Sequence, residues 1–174
     1  MQLKTYNSFS PQHSKLYNDI LALTQPIRQF YPNYEDWFKN TFISGLKRKK
    51  RLYILAQTET GILAGCILIK NTADEKKICT LFVKPEFRKQ GIATALIRET
   101  IQLLGEYPLI TVSQENMKQV FPLLTRLGFR LSTTRQDLYR PGSTEYFFNG
   151  KGTNTCQERL ISVLNQRAKQ LERC

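Results

Sequence analysis

The most constraining stretch of this chain is Ile78 to Leu104, ICTLFVKPEFRKQGIATALIRETIQLL. Ile78 to Val83 is short, mostly apolar and rich in strand formers, and Lys84-Pro85 breaks it. Arg88-Lys89-Gln90-Gly91-Ile92-Ala93 then opens a segment in which Ile92, Leu96, Ile97, Ile101 and Leu104 recur at helical spacing. A buried strand, a basic turn with one glycine and a helix N-terminus make a place to hold phosphate. The first helical N–H groups have no partner inside the helix, and the helix dipole adds partial positive charge there. Gly91 brings no Cβ between backbone and anion, and Arg88 and Lys89 add full charges. The residues alone also fit a plain strand–turn–helix unit with its basic side chains in solvent.

The run Val83-Lys84-Pro85-Glu86-Phe87-Arg88-Lys89-Gln90-Gly91-Ile92-Ala93-Thr94-Ala95-Leu96 resembles the acyl-CoA-binding motif of the GNAT N-acetyltransferase superfamily. That motif is Arg or Gln, two residues, Gly, any residue, then Gly or Ala. The resemblance extends over about residues 3 to 149. It implies an α/β, three-layer acyl-CoA N-acyltransferase fold, with a mixed central sheet flanked by helices. It also implies acetyl-CoA as the acyl donor and an amine as acceptor.

The order of elements expected along the chain agrees: strand, two helices, three strands, helix, strand, helix, two strands. Gln2 to Tyr6 alternates weakly, and Pro11 to Leu23 reads as an amphipathic helix broken at Gln25-Pro26. Asn33 is an expected N-cap for a second helix running to about Gly45. The aromatic loop Ile27 to Pro32 between them is, by the resemblance, on the acceptor side. Arg51 to Gln57 and Ile62 to Lys70 read as a hairpin, with Gly65 marking a bulge or a close backbone approach. Leu109 to Val112 is a short apolar strand, and Asn116 to Leu127 a helix that Pro122 should delay or distort. Gly128 ends it. Leu138-Tyr139-Arg140 and Thr144 to Phe148 read as closing strands. Residues 150–154 read as a linker and Cys156 to Glu172 as an extra amphipathic helix, which packs back on the sheet or makes a homodimer contact.

The chain carries 26 Lys and Arg against 14 Asp and Glu, a net charge of +12. Lys47-Arg48-Lys49-Lys50-Arg51 is the densest run. This favours anionic partners, RNA among them, although cations also suit a solvated helix C-terminus. No apolar run reaches the ~18 residues of a membrane span, and Met1 to Tyr6 lacks the apolar core of a signal peptide. A cytoplasmic protein, monomer or homodimer, is expected. Cys66, Cys79, Cys156 and Cys174 show no metal-ligand or redox spacing, and His13 is the one histidine. No metal site is expected, and Cys66 and Cys79 read as small buried hydrophobes.

Acyl transfer from a thioester requires an anchored donor, a polarised carbonyl and a deprotonated, aligned amine. The backbone of Arg88, Lys89, Gln90, Gly91, Ile92, Ala93 and Thr94 is expected to cradle the pyrophosphate. The resemblance implies that main-chain groups of Leu81 and Val83 pair with the pantetheine arm, beside Leu109 to Ser113, and that Asn116 bonds that arm. Asn116 also fits a helix cap. An N–H at Phe82 or Val83 is the candidate to polarise the carbonyl. The chain departs from the family where a tyrosine commonly protonates the leaving thiolate, because Leu124 stands there, and Ile78 to Leu81 offers no carboxylate. Glu75, Glu115 and Glu145 remain as bases and Tyr139 and Tyr146 as acids, each with an ordinary surface or packing role as the alternative. A catalytically degenerate CoA-binding or interaction protein is the second reading.

Overall fold

The computed structural model describes residues 1–149, so the expected linker and C-terminal helix lie outside the described residues. The described residues divide into two compact units, one of Met1–Glu106 and one that begins at Tyr107.

In the first unit β1 (Gln2–Tyr6), β2 (Arg51–Gln57), β3 (Leu63–Asn71) and β4 (Lys76–Val83) pair antiparallel in that order. Their side chains alternate between two faces. Tyr53, Leu55, Cys66 and Leu68 point to one, against Tyr17, Ile20 and Leu23 of α1 (Ser14–Leu23) and Phe38, Phe42 and Leu46. α4 (Ile92–Leu104) packs on β2, β3 and β4 with Ile92, Leu96, Ile97, Thr100 and Leu104 buried. Thr100 replaces the expected Ile101 in that buried set because its hydroxyl donates to the Leu96 carbonyl at 2.8 Å, which satisfies it within the helix.

Two expectations fail in the helical segment. The second helix is composite: α2 (Tyr34–Asp36), a π-helical turn Trp37–Phe42 and α3 (Ile43–Lys47). Asn33 makes no side-chain cap. The π turn follows from packing, since one extra residue per turn lets Trp37, Phe38 and Phe42 stack together against the sheet. Ile27 to Gln29 of the expected aromatic loop belong to a 3-10 helix, Gln25–Gln29, and its aromatic half, Phe30 to Pro32, remains a loop.

Gly65 bears out its expectation. A Cβ there would lie 2.8 Å from the Phe82 carbonyl oxygen and 3.2 Å from Val83 Cγ2. The β3–β4 register also shifts, with Leu68 opposite Thr80 and Ile69 opposite Ile78, so Cys79 is the extra residue of a bulge. Cys79 is accordingly half-buried, not buried like Cys66.

In the second unit β7 (Thr144–Phe148) lies between β5 (Leu109–Ser113) and β6 (Leu131–Gln136), antiparallel to both. Leu138 to Arg140 is not a strand, because Asp137 takes a left-handed φ of 56° and accepts from the Gly142 N–H at 2.6 Å, closing a bend. α5 (Gln114–Arg126) begins two residues earlier than expected and runs through Pro122. Gly128, at φ +88°, ends it as anticipated.

Candidate active site

The turn from β4 to α4 has the geometry of an anion cradle. Lys89 (φ 60°) and Gly91 (φ 80°) are both left-handed, two positions apart, which turns successive backbone N–H groups toward one side. Gly91 is the N-cap of α4 and no side chain caps that end. The first-turn N–H groups of Ile92, Ala93 and Thr94 therefore point out of the helix end uncapped. A Cβ on Gly91 would meet nothing within 4 Å, so the space in front of it is open. Arg88, Lys89 and Gln90 are exposed beside it. The Gln90 side-chain amide donates to the Glu86 carbonyl at 3.3 Å, bracing the turn.

Arg88 is less free than the sequence implied. Its Nε donates to the Val83 carbonyl at 3.0 Å and its guanidinium lies 5.8 Å from the Phe82 ring centroid. The terminal amines, with no other partner among the described residues, remain to meet an anion.

The register separates Phe82 from its neighbours. The Lys84 N–H donates to Ala64 O at 2.9 Å, so Lys84 pairs with Ala64 in the β3 ladder. Alternation assigns the polar backbone groups of Phe82, opposite Cys66, to the same ladder. Those of Leu81 and Val83 face away from β3, and Arg88 already engages the Val83 carbonyl. Of the two N–H groups suggested by sequence for the acyl carbonyl, only that of Val83 is turned from β3.

Behind this strand lies a group that sequence reasoning passed over. Thr80 donates to the buried Tyr34 hydroxyl at 3.3 Å, and Thr24, fully buried, donates to Ile20 O at 2.8 Å. Burial, before the thiols of Cys66 and Cys79, pushes the Tyr34 hydroxyl above its usual range, against the hydrogen bonds of Thr24 and Thr80. It stays a neutral phenol. A lone tyrosine 46 positions from its partner leaves no mark in a sequence. Nearby, Glu35 bridges Arg28 and Lys39, both at 2.6 Å, and is held below the usual carboxylate range by Lys39 first and then Arg28.

The remaining candidates are scattered. In the first unit Glu75 pairs with Lys70 at 2.7 Å. In the second, Asn116 sits inside the first turn of α5, and its amide donates to the hydroxyl of Ser113, the N-cap residue, at 3.0 Å. Glu115 pairs with Arg140. Its carboxyl is held down first by its own backbone N–H and then by Arg140 and the Ser113 hydroxyl. Glu145, 4% exposed, is opposite Ser113 and Arg135, while Tyr146, half-buried, is opposite Val112 and Thr134. Tyr139 is exposed in the bend after β6. Leu124 is fully buried.

Residues 25–142 match the family described as the acetyltransferase (GNAT) domain. The chain belongs to the GNAT acetyltransferase family. No curated protein matches it significantly. Solved structures share the fold. One is the PaiA N-acetyltransferase of Thermoplasma acidophilum in complex with coenzyme A, at 18% identity and a TM-score of 0.61, over 85% of this chain and 98% of that one. Another is an aminoglycoside 6'-N-acetyltransferase complexed with coenzyme A, at 12% identity and 0.63, over 85% and 95%. A third is the IAA acetyltransferase of Bacillus cereus, at 14% and 0.58, over 84% and 98%. The acyl-CoA N-acyltransferase fold expected from the motif is therefore this GNAT chain's fold. No helix among its described residues is long and apolar enough to cross a membrane.

Proposed function

We propose that this GNAT protein is an acetyl-CoA-dependent N-acetyltransferase. The observation that carries the reading is the uncapped α4 N-terminus at left-handed Gly91, with Arg88 and Lys89 beside it. The diphosphate of the donor would lie against the N–H groups of residues 89 to 94, since that of Arg88 donates to Pro85 O at 3.2 Å, with the Arg88 terminal amines and Lys89 meeting its charge. The pantetheine arm would run along the groups of Leu81 and Val83 that β3 does not use. Val83 N–H would stabilise charge on the acyl oxygen as it develops. Asn116 remains a proposed contact to the arm.

In the reaction the acceptor nitrogen forms a bond to the acyl carbon, and the carbon–sulfur bond breaks with its electron pair passing to sulfur. The amine proton leaves through a base or water, and the thiolate takes up a proton. A CoA thiol, with an ordinary pKa of ~8.5, is a fair leaving group, and alignment alone supplies much of the acceleration. Glu115 and Glu75 spend their charge on Arg140 and Lys70, which favours water as the carrier over either. Glu145, Tyr139 and Tyr146 stay candidates.

The acceptor is an amine carried on a small molecule, a protein or an aminoacyl-tRNA, and the protein acts in the cytoplasm as a monomer or homodimer. Free-thiol release from acetyl-CoA across pools of polyamines, aminoglycosides, peptides and charged tRNA tests the reading. One pool should release thiol with the wild type and not with Gly91→Glu. A second reading, a CoA-binding protein without turnover, is favoured by Leu124, buried where a tyrosine commonly serves the family. It predicts CoA binding in calorimetry with no thiol release from any pool.

A further inference from the structure

Lys47, Arg48, Lys49 and Lys50 stand exposed at the end of α3 and in the turn that leads to β2. None has an ion-pair partner among the described residues, and Lys47 alone makes a ring contact, its Nζ 4.8 Å from the Phe9 centroid. Of the acids at this end of the sheet, Glu75 is taken by Lys70 at 2.7 Å and Glu106 by Lys76 at 2.8 Å, which leaves the single carboxylate of Asp74, exposed in the β3–β4 turn, against four cations. The turn is fixed by its backbone. Lys49 N–H donates to Leu46 O at 3.0 Å, Lys50 N–H to Gly45 O at 2.9 Å, and Asn71 N–H to Lys50 O at 3.0 Å. Lys49 holds φ at 55°, a conformation in which glycine or asparagine is the ordinary choice. A cation thus occupies a position where the backbone favours glycine or asparagine. The dipole of the composite helix acts only within its last turn, so it does not account for Lys49 and Lys50 in the turn beyond.

Position separates this cluster from the acetyl-transfer site. Arg51 is opposite Lys70, and Lys70 opposite Lys77, so the turn lies at the Lys77 end of the sheet. Val83, the strand end that leads into the phosphate cradle, is about 20 Å further along β4 at strand rise. One CoA diphosphate cannot neutralise both.

We infer that the Lys47–Lys50 turn binds the phosphodiester backbone of RNA, without regard to sequence. A row of exposed cations on a hydrogen-bonded turn, none ion-paired among the described residues, suits a polymer that repeats a full negative charge at every unit. A membrane surface fits less well, since none of the large apolar side chains exposed among the described residues lies in the turn to insert beside the charges. The inference goes beyond acetyl transfer and stands whether or not that reading holds.

The test is fluorescence anisotropy of a short labelled single-stranded RNA of mixed sequence, titrated with the full chain over a salt series. Four phosphates neutralised give a slope of about −3 in log K against log salt, roughly a 50-fold loss between 50 and 200 mM. Arg48→Glu with Lys50→Glu should weaken binding at least ~10-fold and flatten the slope by about 1.4, while CoA calorimetry is unchanged. Lys49→Gly removes one cation at a left-handed position. It should fold with an unchanged or higher Tm and flatten the slope by about 0.7, so the proposal stays testable if the double variant does not fold. Absence of RNA binding at low salt overturns the inference. So does binding that these variants leave intact, or that Arg88→Glu and added CoA abolish. Retention on phosphatidylserine vesicles without RNA binding overturns it in favour of a membrane.

Discussion

Arg88 Nε donates to the Val83 carbonyl at 3.0 Å, which joins the proposed phosphate contact to the last residue of the central strand. One side chain thereby fixes the strand's end and carries charge to the turn. Arg88→Ala should weaken CoA binding by about ten- to a hundredfold, the ~1.5–3 kcal/mol of a hydrogen bond to a charged group. Circular dichroism should not change. Calorimetry checks this, and undiminished affinity would remove the anion from this turn.

Gly91 and Gly65 are intolerant of a side chain for different reasons. Gly91 faces open space, so Gly91→Ala meets only the left-handed backbone penalty, about 1–2 kcal/mol. Gly65 has an ordinary φ but meets the Phe82 carbonyl oxygen at 2.8 Å, a backbone atom that cannot rotate away. Gly65→Ala should cost about 1–3 kcal/mol by overpacking and also push β4 at Phe82 and Val83. Urea titration should therefore show both variants destabilised. Gly65→Ala should lose CoA affinity as well, whereas the milder Gly91→Ala loses less than Gly91→Glu.

How much of this was legible in advance follows from where the information is local. The β2 bounds, the glycine ending α5 and the strand–turn–helix order around Gly91 are written in short runs of apolar residues, Gly and Pro, and stand as the sequence reads. β6 was only sketched, because Ser132-Thr133-Thr134-Arg135-Gln136 has no apolar alternation and is held by its ladder to β7. The same weakness made Leu138-Tyr139 look strand-like, where the Asp137–Gly142 hydrogen bond prevails. The π turn depends on three aromatic rings meeting, and the Tyr34–Thr80 bond joins distant residues. Neither has a local signature.

Leu124, the position where the resemblance leads one to expect a tyrosine, has no exposed surface. Leu124→Ala should cost about 2–5 kcal/mol, the range for a buried leucine. Leu124→Tyr tests whether the position can regain a proton donor. A ring and hydroxyl forced into a filled core should destabilise by about 1–3 kcal/mol and leave thiol release from acetyl-CoA no faster. Enhanced turnover in Leu124→Tyr would show instead that the site can open and that the missing tyrosine limits the wild type.

Alkaline pH should unfold this protein sooner than its basic composition suggests, and the sign follows from Cys66. Burial alone pushes that thiol from an ordinary 9.0 up to about 12. Burial also raises Cys79, although Arg51 and Lys77 pull it back. A thiol that titrates higher in the folded chain loses its proton first when unfolded. Its contribution is whole below the ordinary thiol value and falls away as pH rises toward the folded one. Each such thiol removes at most about 1.4 kcal/mol per pH unit in that window. Tyr34 and Tyr53, also raised by burial, add to the loss only above the ordinary tyrosine value of 10.0. Between pH 9 and 10 the decline therefore belongs to the thiols. Urea midpoints should fall across that interval, and Cys66→Ala should flatten the fall more than Cys79→Ala, because only Cys79 has Arg51 beside it, its NH1 3.3 Å from Sγ. An unchanged slope in Cys66→Ala would mean that the buried thiol titrates no differently when folded.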